Sequence, residues 1–90
     1  MRFEWDAAKR AANIAKHRLD FEAVERFDFA SAIVAPAQRN DFEEPRDIAI
    51  GFIGVRLHVL VFRWRGDVVR VISLRKANAR EIRLYERTTT

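Results

Sequence analysis

Asp47-Ile48-Ala49-Ile50-Gly51-Phe52-Ile53, Leu57-His58-Val59-Leu60-Val61-Phe62-Arg63-Trp64 and Val68-Val69-Arg70-Val71-Ile72-Ser73-Leu74 follow one another, separated only by Gly54-Val55-Arg56 and Arg65-Gly66-Asp67. Each run is rich in β-branched and aromatic residues and bounded by glycine, which reads as three strands joined by tight turns. Gly66-Asp67 suits a two-residue hairpin turn. In that register Arg63 pairs with Arg70, Val61 with Ile72 and Val59 with Leu74. On the opposite face Trp64 meets Val69, Phe62 meets Val71, Leu60 meets Ser73 and His58 meets Arg75. Both faces are largely apolar, so both are at least partly covered.

The flanks complete an architecture. Upstream, Ser31–Ala35 reads as a brief strand stopped by Pro36, which makes a four-stranded antiparallel meander. Residues 36–47 form a polar loop between Pro36 and Pro45, with Phe42 its only large apolar residue; loops of that length in small domains are usually functional or disordered. Phe3-Glu4-Trp5 is a strand-like start. Asp6 caps a helix from Ala7 to about His17, with Ala7, Ala8, Ala11, Ile14 and Ala15 on a small apolar face suited to packing on a sheet. Lys9, Asn13, Lys16 and His17 lie on the other face. Asp20 caps a shorter helix, Phe21 to about Phe27, burying Phe21, Val24 and Phe27. Asn78-Ala79-Arg80-Glu81 resembles a capping box. It opens a C-terminal helix to about Arg87, with Ile82 and Tyr85 inward, Arg80, Arg83 and Arg87 along one side, and a frayed 88–90. The expected fold is α+β, one domain over residues 1–90 with two N-terminal helices, the four-stranded sheet and a C-terminal helix.

Composition narrows the function. Ninety residues with 49% hydrophobic and 33% charged side chains make a globular chain of single-domain size. The absence of cysteine removes disulfides, Cys-containing zinc sites and a Cys nucleophile. Two distant histidines, His17 and His58, do not suggest a metal site, and no cofactor motif stands out. No apolar run reaches the ~20 residues of a membrane span, and the start lacks an apolar signal core, so a cytoplasmic location is expected. The net charge is +4, carried unevenly: residues 1–45 hold −2 and residues 46–90 hold +6. A basic, arginine-rich half points to nucleic acid or to an acidic protein partner.

Cleaving RNA through attack of its own 2′-hydroxyl needs a base, cations for the phosphate and an acid for the leaving oxygen, without a metal. Arg63, Arg65 and Arg70 surround the tight turn, and Arg75-Lys76 ends the last strand, where they can supply positive potential. They can equally be solvated, with Arg63 and Arg70 anchoring carboxylates. His58 beside a cation could act as a neutral base or be a satisfied core residue. His17 ends a helix, which favours a cation. The run Glu43-Glu44-Pro45-Arg46-Asp47 could supply a carboxylate. The stripe Arg80, Arg83 and Arg87 fits a phosphate backbone or an acidic partner helix.

Phe3-Glu4-Trp5-Asp6 followed by Lys9, Asn13, Lys16-His17, Phe21 and Phe27 resembles the opening of the BrnT toxin family. Gly51, Phe62, Arg65-Gly66, the run Arg70 to Ala77, Arg80-Glu81 and Tyr85 resemble its closing pattern. The resemblance implies a RelE-like fold and a metal-independent endoribonuclease toxin of the mRNA interferase type, which inhibits translation and growth as part of a stress response. It implies an RNA substrate and a cognate BrnA-like antitoxin that forms a heterotetramer with the toxin and alone touches operator DNA. Carried onto this chain, the catalytic set is Arg65, Arg75, His17 and Glu44, with Tyr85 also matched. Lys16, Arg63, Arg70, Lys76, Arg80 and Arg83 are the RNA-binding set. Leu74 stands where the family usually has alanine, Arg18 where it often has glycine, Trp64 where a polar residue is common, and Pro45 interrupts an acidic-then-arginine pair. These departures keep a second reading open, an antitoxin-binding module with weak or no nuclease activity, and nucleic-acid binding without cleavage is a third.

Overall fold

Two-residue turns set the centre of the molecule. β3 (Asp47–Ile53) turns at Gly54-Val55 into β4 (Arg56–Arg65), which turns at Gly66-Asp67 into β5 (Val68–Lys76). Gly54 and Gly66 each have φ 62°, a left-handed conformation that glycine adopts without a Cβ clash. Each opens its turn as a hairpin requires. The computed structural model describes residues 1–37 and 44–90; the expectations for Phe42 and Glu43 lie outside the described residues.

The sheet has five strands, in the order β1-β5-β4-β3-β2. β2 (Ile33–Pro36) pairs antiparallel with β3, and Pro36 remains inside it, opposite Asp47. Proline is tolerated because β2 is an edge strand. β1 (Arg2–Glu4) joins the other edge, parallel to β5, with Phe3 opposite Val69. The expected four-stranded antiparallel sheet is therefore a mixed five-stranded one. Three residues hold too little periodicity to reveal a partner; Phe3 joins the core that includes Val69, and that burial secures the strand.

Register follows the hairpin near the turn and slips beyond it. Arg63–Arg70, Trp64–Val69 and Phe62–Val71 pair as expected. Past them β5 carries one extra residue, Ile72, so Val61 pairs with Ser73, Leu60 with Leu74, Val59 with Arg75 and His58 with Lys76. This bulge corrects the four remaining expected pairs. Its cause is burial. Val69, Val71 and Leu74 belong to one core layer, and strict alternation would turn Leu74 away from the other two.

Both faces of the sheet are covered. On one, a 3₁₀ helix (Phe21–Arg26) presents Phe21 and Val24, followed by Phe27, to Ala49, Leu60, Phe62 and Leu74. Their spacing of three aligns them on one side of a helix with three residues per turn. Asp20 caps it by accepting from the Glu22 N–H at 3.0 Å. Gly51 must be glycine here, because a Cβ would lie 2.8 Å from Phe27 Cζ and 2.9 Å from Ala32 Cβ. The other face packs on α2 (Ala79–Thr89), where Tyr85 and Ile82 meet Ile50, Leu57 and Val59. The Tyr85 hydroxyl donates to the Ser31 carbonyl at 2.8 Å. The capping box is present: the Asn78 side chain accepts from the Glu81 N–H and the Glu81 carboxylate from the Asn78 N–H, both at 2.9 Å. The helix continues to Thr89, and the Thr88, Thr89 and Thr90 hydroxyls donate to carbonyls four residues back.

α1 (Ala7–His17) starts at Asp6, whose carboxylate accepts from the Ala8 N–H. Its facing overturns the expectation. Ala7, Ala8, Ala11, Ile14 and Ala15 are exposed, and the buried residue is Asn13. The sheet explains this: β1 ends opposite Arg70, so the edge of β5 beyond it has backbone groups that need partners. Asn13 supplies them. Its Oδ1 accepts from the Leu74 N–H at 3.1 Å, and its Nδ2 donates to the Leu74 carbonyl at 2.8 Å and to the Leu19 carbonyl at 3.0 Å. Among the described residues no helix is long and apolar enough to cross a membrane.

Candidate nucleic-acid interface

The polar contact between α1 and β5 leaves a cleft. Lys9, Ala12, Asn13, Lys16 and His17 line one wall and Ile72 and Ser73 the other, around a volume of about 220 Å³. Successive turns of α1 project Lys9, Lys16 and His17 along one face. The bulge sets the second wall, because it places Ser73 and Arg75 on the face of β5 that α2 covers, opposite Val61 and Val59.

His17 is the titratable group of this cleft. Burial, then the charges of Lys16 and Arg75, push its pKa below the ordinary histidine value. Its imidazole is therefore neutral at pH 7 and able to take a proton. Arg75 stands close enough to act on it, yet is itself held: Nη1 donates to Glu81 Oε1 at 2.8 Å and Nη2 to Oε2 at 2.7 Å. The pairing holds the Glu81 carboxyl below its ordinary value and raises Arg75. A bidentate pair orients the guanidinium and offsets much of its charge.

The remaining arginines cluster at the hairpin end. Glu4 Oε2 accepts from Arg70 Nη1 at 2.7 Å and Arg65 Nη1 at 2.9 Å, and Arg70 foremost keeps the Glu4 carboxyl below its ordinary value. Arg63 Nε lies 3.1 Å from Glu44 Oε2. The distance makes an ion pair but the angle makes no hydrogen bond, so that buried Nε has no hydrogen-bond partner. Arg65 pairs with Val68 and Arg75 with Val59, a separation of about 20 Å along β4 at ~3.3 Å per residue. The two therefore cannot grip the same phosphate.

Of the expected site residues, the fold brings Lys16 and His17 into the cleft with Arg75 nearby. It sets Arg63, Arg65, Arg70 and Glu44 at the far end of the sheet. Lys76 is exposed and pairs with His58; Arg80 and Arg83 lie exposed on α2. His58 is 5% exposed, and its Nδ1 donates to the Arg56 carbonyl at 2.8 Å. Burial above all keeps it neutral. It is a satisfied residue of the sheet. Sequence reasoning left out Lys9 and Ser73. Lys9 was legible on the polar face of α1, whereas the facing of Ser73 depends on the bulge and had no signal.

Fold and cleft together define a small basic α+β domain with a cation-lined groove at a sheet edge. Residues 5–81 match the family described as the ribonuclease toxin, BrnT, of type II toxin–antitoxin systems, and the chain belongs to that family. A search of curated proteins found no match. Membership of such a system implies a cognate antitoxin as partner.

Proposed function

We propose that this chain is a metal-independent endoribonuclease of the mRNA interferase type and that the α1–β5 cleft is where it cleaves RNA. The observation that carries this reading is His17, kept neutral by burial and neighbouring cations in a cleft that also holds Lys9 and Lys16. The His17 imidazole takes the proton of a ribose 2′-hydroxyl as that oxygen attacks phosphorus. The phosphorus bond to the 5′-oxygen breaks, Lys16 protonates the leaving oxygen, and a 2′,3′-cyclic phosphate and a 5′-hydroxyl remain. Lys9 and Arg75 balance charge building on the phosphate. Arg65, Arg63 and Arg70, with Glu44 anchoring Arg63 rather than acting as a base and Glu4 anchoring the other two, extend the positive strip for flanking nucleotides. The fold is RelE-like on this reading, the setting cytoplasmic, and a BrnA-like antitoxin forms the heterotetramer and carries the operator contacts.

Purified chain incubated with RNA in EDTA tests this. Cleavage should persist, and His17→Gln should slow it by about 100-fold or more, the usual scale for a lost acid–base group. The rate should fall on the acid side with an inflection below the ordinary histidine pKa of about 6.5. Full activity in His17→Gln would remove the residue from the chemistry. The ion pairing of Arg63, Arg65, Arg70 and Arg75 favours the second reading, an antitoxin-binding module with weak or no nuclease activity. RNA left whole by the wild-type chain would select it.

A further inference from the structure

A second concavity lies at the opposite edge of the sheet from the cleft. Ile33, Val34 and Pro36 of β2, Ile48 and Ile50 of β3 and Leu84 of α2 line a groove of about 400 Å³. Its lining is aliphatic. Val34 is 53% exposed and Leu84 42%, so large apolar side chains face water at its rim, and β2 is the open edge of the sheet. On α2 the order of residues around the helix is Arg83, Arg87, Arg80, Leu84, Thr88. Three arginines thus run directly beside the groove-lining Leu84 and Thr88. None of the three makes an ion pair among the described residues. Leu84 and Thr88 lie beyond the span matched by the family.

We propose that this groove is the docking surface for an acidic amphipathic segment of the antitoxin, whose apolar side chains fill the groove while its carboxylates meet Arg80, Arg83 and Arg87. The proposal rests on the toxin–antitoxin reading for the existence of the partner. Its location and chemistry come from charge and shape. An apolar floor with an unanswered basic rim is complementary to a segment with the reverse pattern. RNA fits poorly, because bases bind on aromatic platforms and the groove has none. A second copy fits poorly too, since a two-fold contact would set one basic rim against another. Arg80 and Arg83 then serve the partner, not RNA. Three strand spacings of about 4.8 Å separate β2 from β5, so binding here can be measured apart from cleavage.

The test compares the wild-type chain with Leu84→Lys, Val34→Lys and Arg80→Glu/Arg83→Glu. Affinity is measured for the full-length antitoxin encoded with the toxin, and RNA cleavage is measured without it. The two lysine substitutions fall on different elements at exposed positions, and lysine is well tolerated on an edge strand. Each should weaken antitoxin binding by about 30-fold or more, the effect of losing a binding hot spot, while cleavage stays at the wild-type rate. The double glutamate variant should lose affinity and with it the salt dependence of binding. Antitoxin affinity within twofold of wild type in both lysine variants would overturn the proposal. So would a double glutamate variant that loses RNA binding but keeps the antitoxin, or a chain that dimerises alone through this groove and binds antitoxin elsewhere. Failure of the wild-type chain to cleave RNA would count against the nuclease reading and leave the affinity comparison intact.

Discussion

At the scale of single residues, Arg18 and Asn13 show opposite uses of a conformational cost. Arg18 ends α1 with φ 60°, a left-handed geometry that costs a residue with a Cβ about 1 kcal/mol relative to glycine. Its N–H still caps Ile14. Arg18→Gly should therefore raise stability by about 1 kcal/mol, read from the urea midpoint at unchanged slope; a lower midpoint would show that the arginine side chain compensates. Asn13 is 6% exposed and bonds three backbone groups. Asn13→Ala leaves the N–H and carbonyl of Leu74 without it in a buried setting. The expected loss is about 3 kcal/mol. A loss under half of that would mean water replaces the amide readily.

At the scale of elements, one inserted residue decides which chemistry faces where. Ile72 shifts β5 so that Leu74 enters the core and Ser73 and Arg75 turn to the α2 face. Deleting Ile72 removes the residue that has no partner on β4 and leaves Phe62–Val71, Val61–Ser73 and Leu60–Leu74 as a regular ladder. Leu74 should therefore stay in the core, and cooperative unfolding measured by circular dichroism should survive. A deletion variant that lost cooperative unfolding would refute the role given to the bulge, which is to keep Leu74 in register with Val71. The inverted α1 follows the same logic. Its alanines pack well enough on paper, but the open edge of β5 needs hydrogen bonds, and an unsatisfied buried polar group costs more than alanine burial returns.

At the scale of the molecule, acid should unfold the protein in two stages. His17 and His58 have folded pKa values below the ordinary one. As pH falls through about 6.5 the unfolded chain takes up more protons than the folded one, so stability declines. The carboxyls of Glu4, Glu81 and Asp20 are also held low, Asp20 to about 2 by Arg10 first. Their contribution is present above their ordinary values and is lost on further acidification. Thermal midpoints should fall from pH 7 to 5, then more steeply below about 4.5. His58→Gln should flatten the first stage, and a midpoint that rises between pH 7 and 5 would contradict this assignment.

What the chain determines alone is local. Asp6, Asp20 and Asn78 cap the helices they were expected to cap, Gly66-Asp67 makes its hairpin, and Phe21, Val24 and Phe27 are buried. Each depends on neighbours within a few residues, where side-chain chemistry and backbone conformation are directly coupled. The meeting of Lys16, His17 and Ser73 in one cleft, the bulge at Ile72, the parallel pairing of β1, the outward alanines of α1 and the carboxylates on Arg65 and Arg75 depend on residues far apart in the chain. Only the folded molecule decided these, because whether an edge is paired, or a charge answered, is settled by what packs beside it.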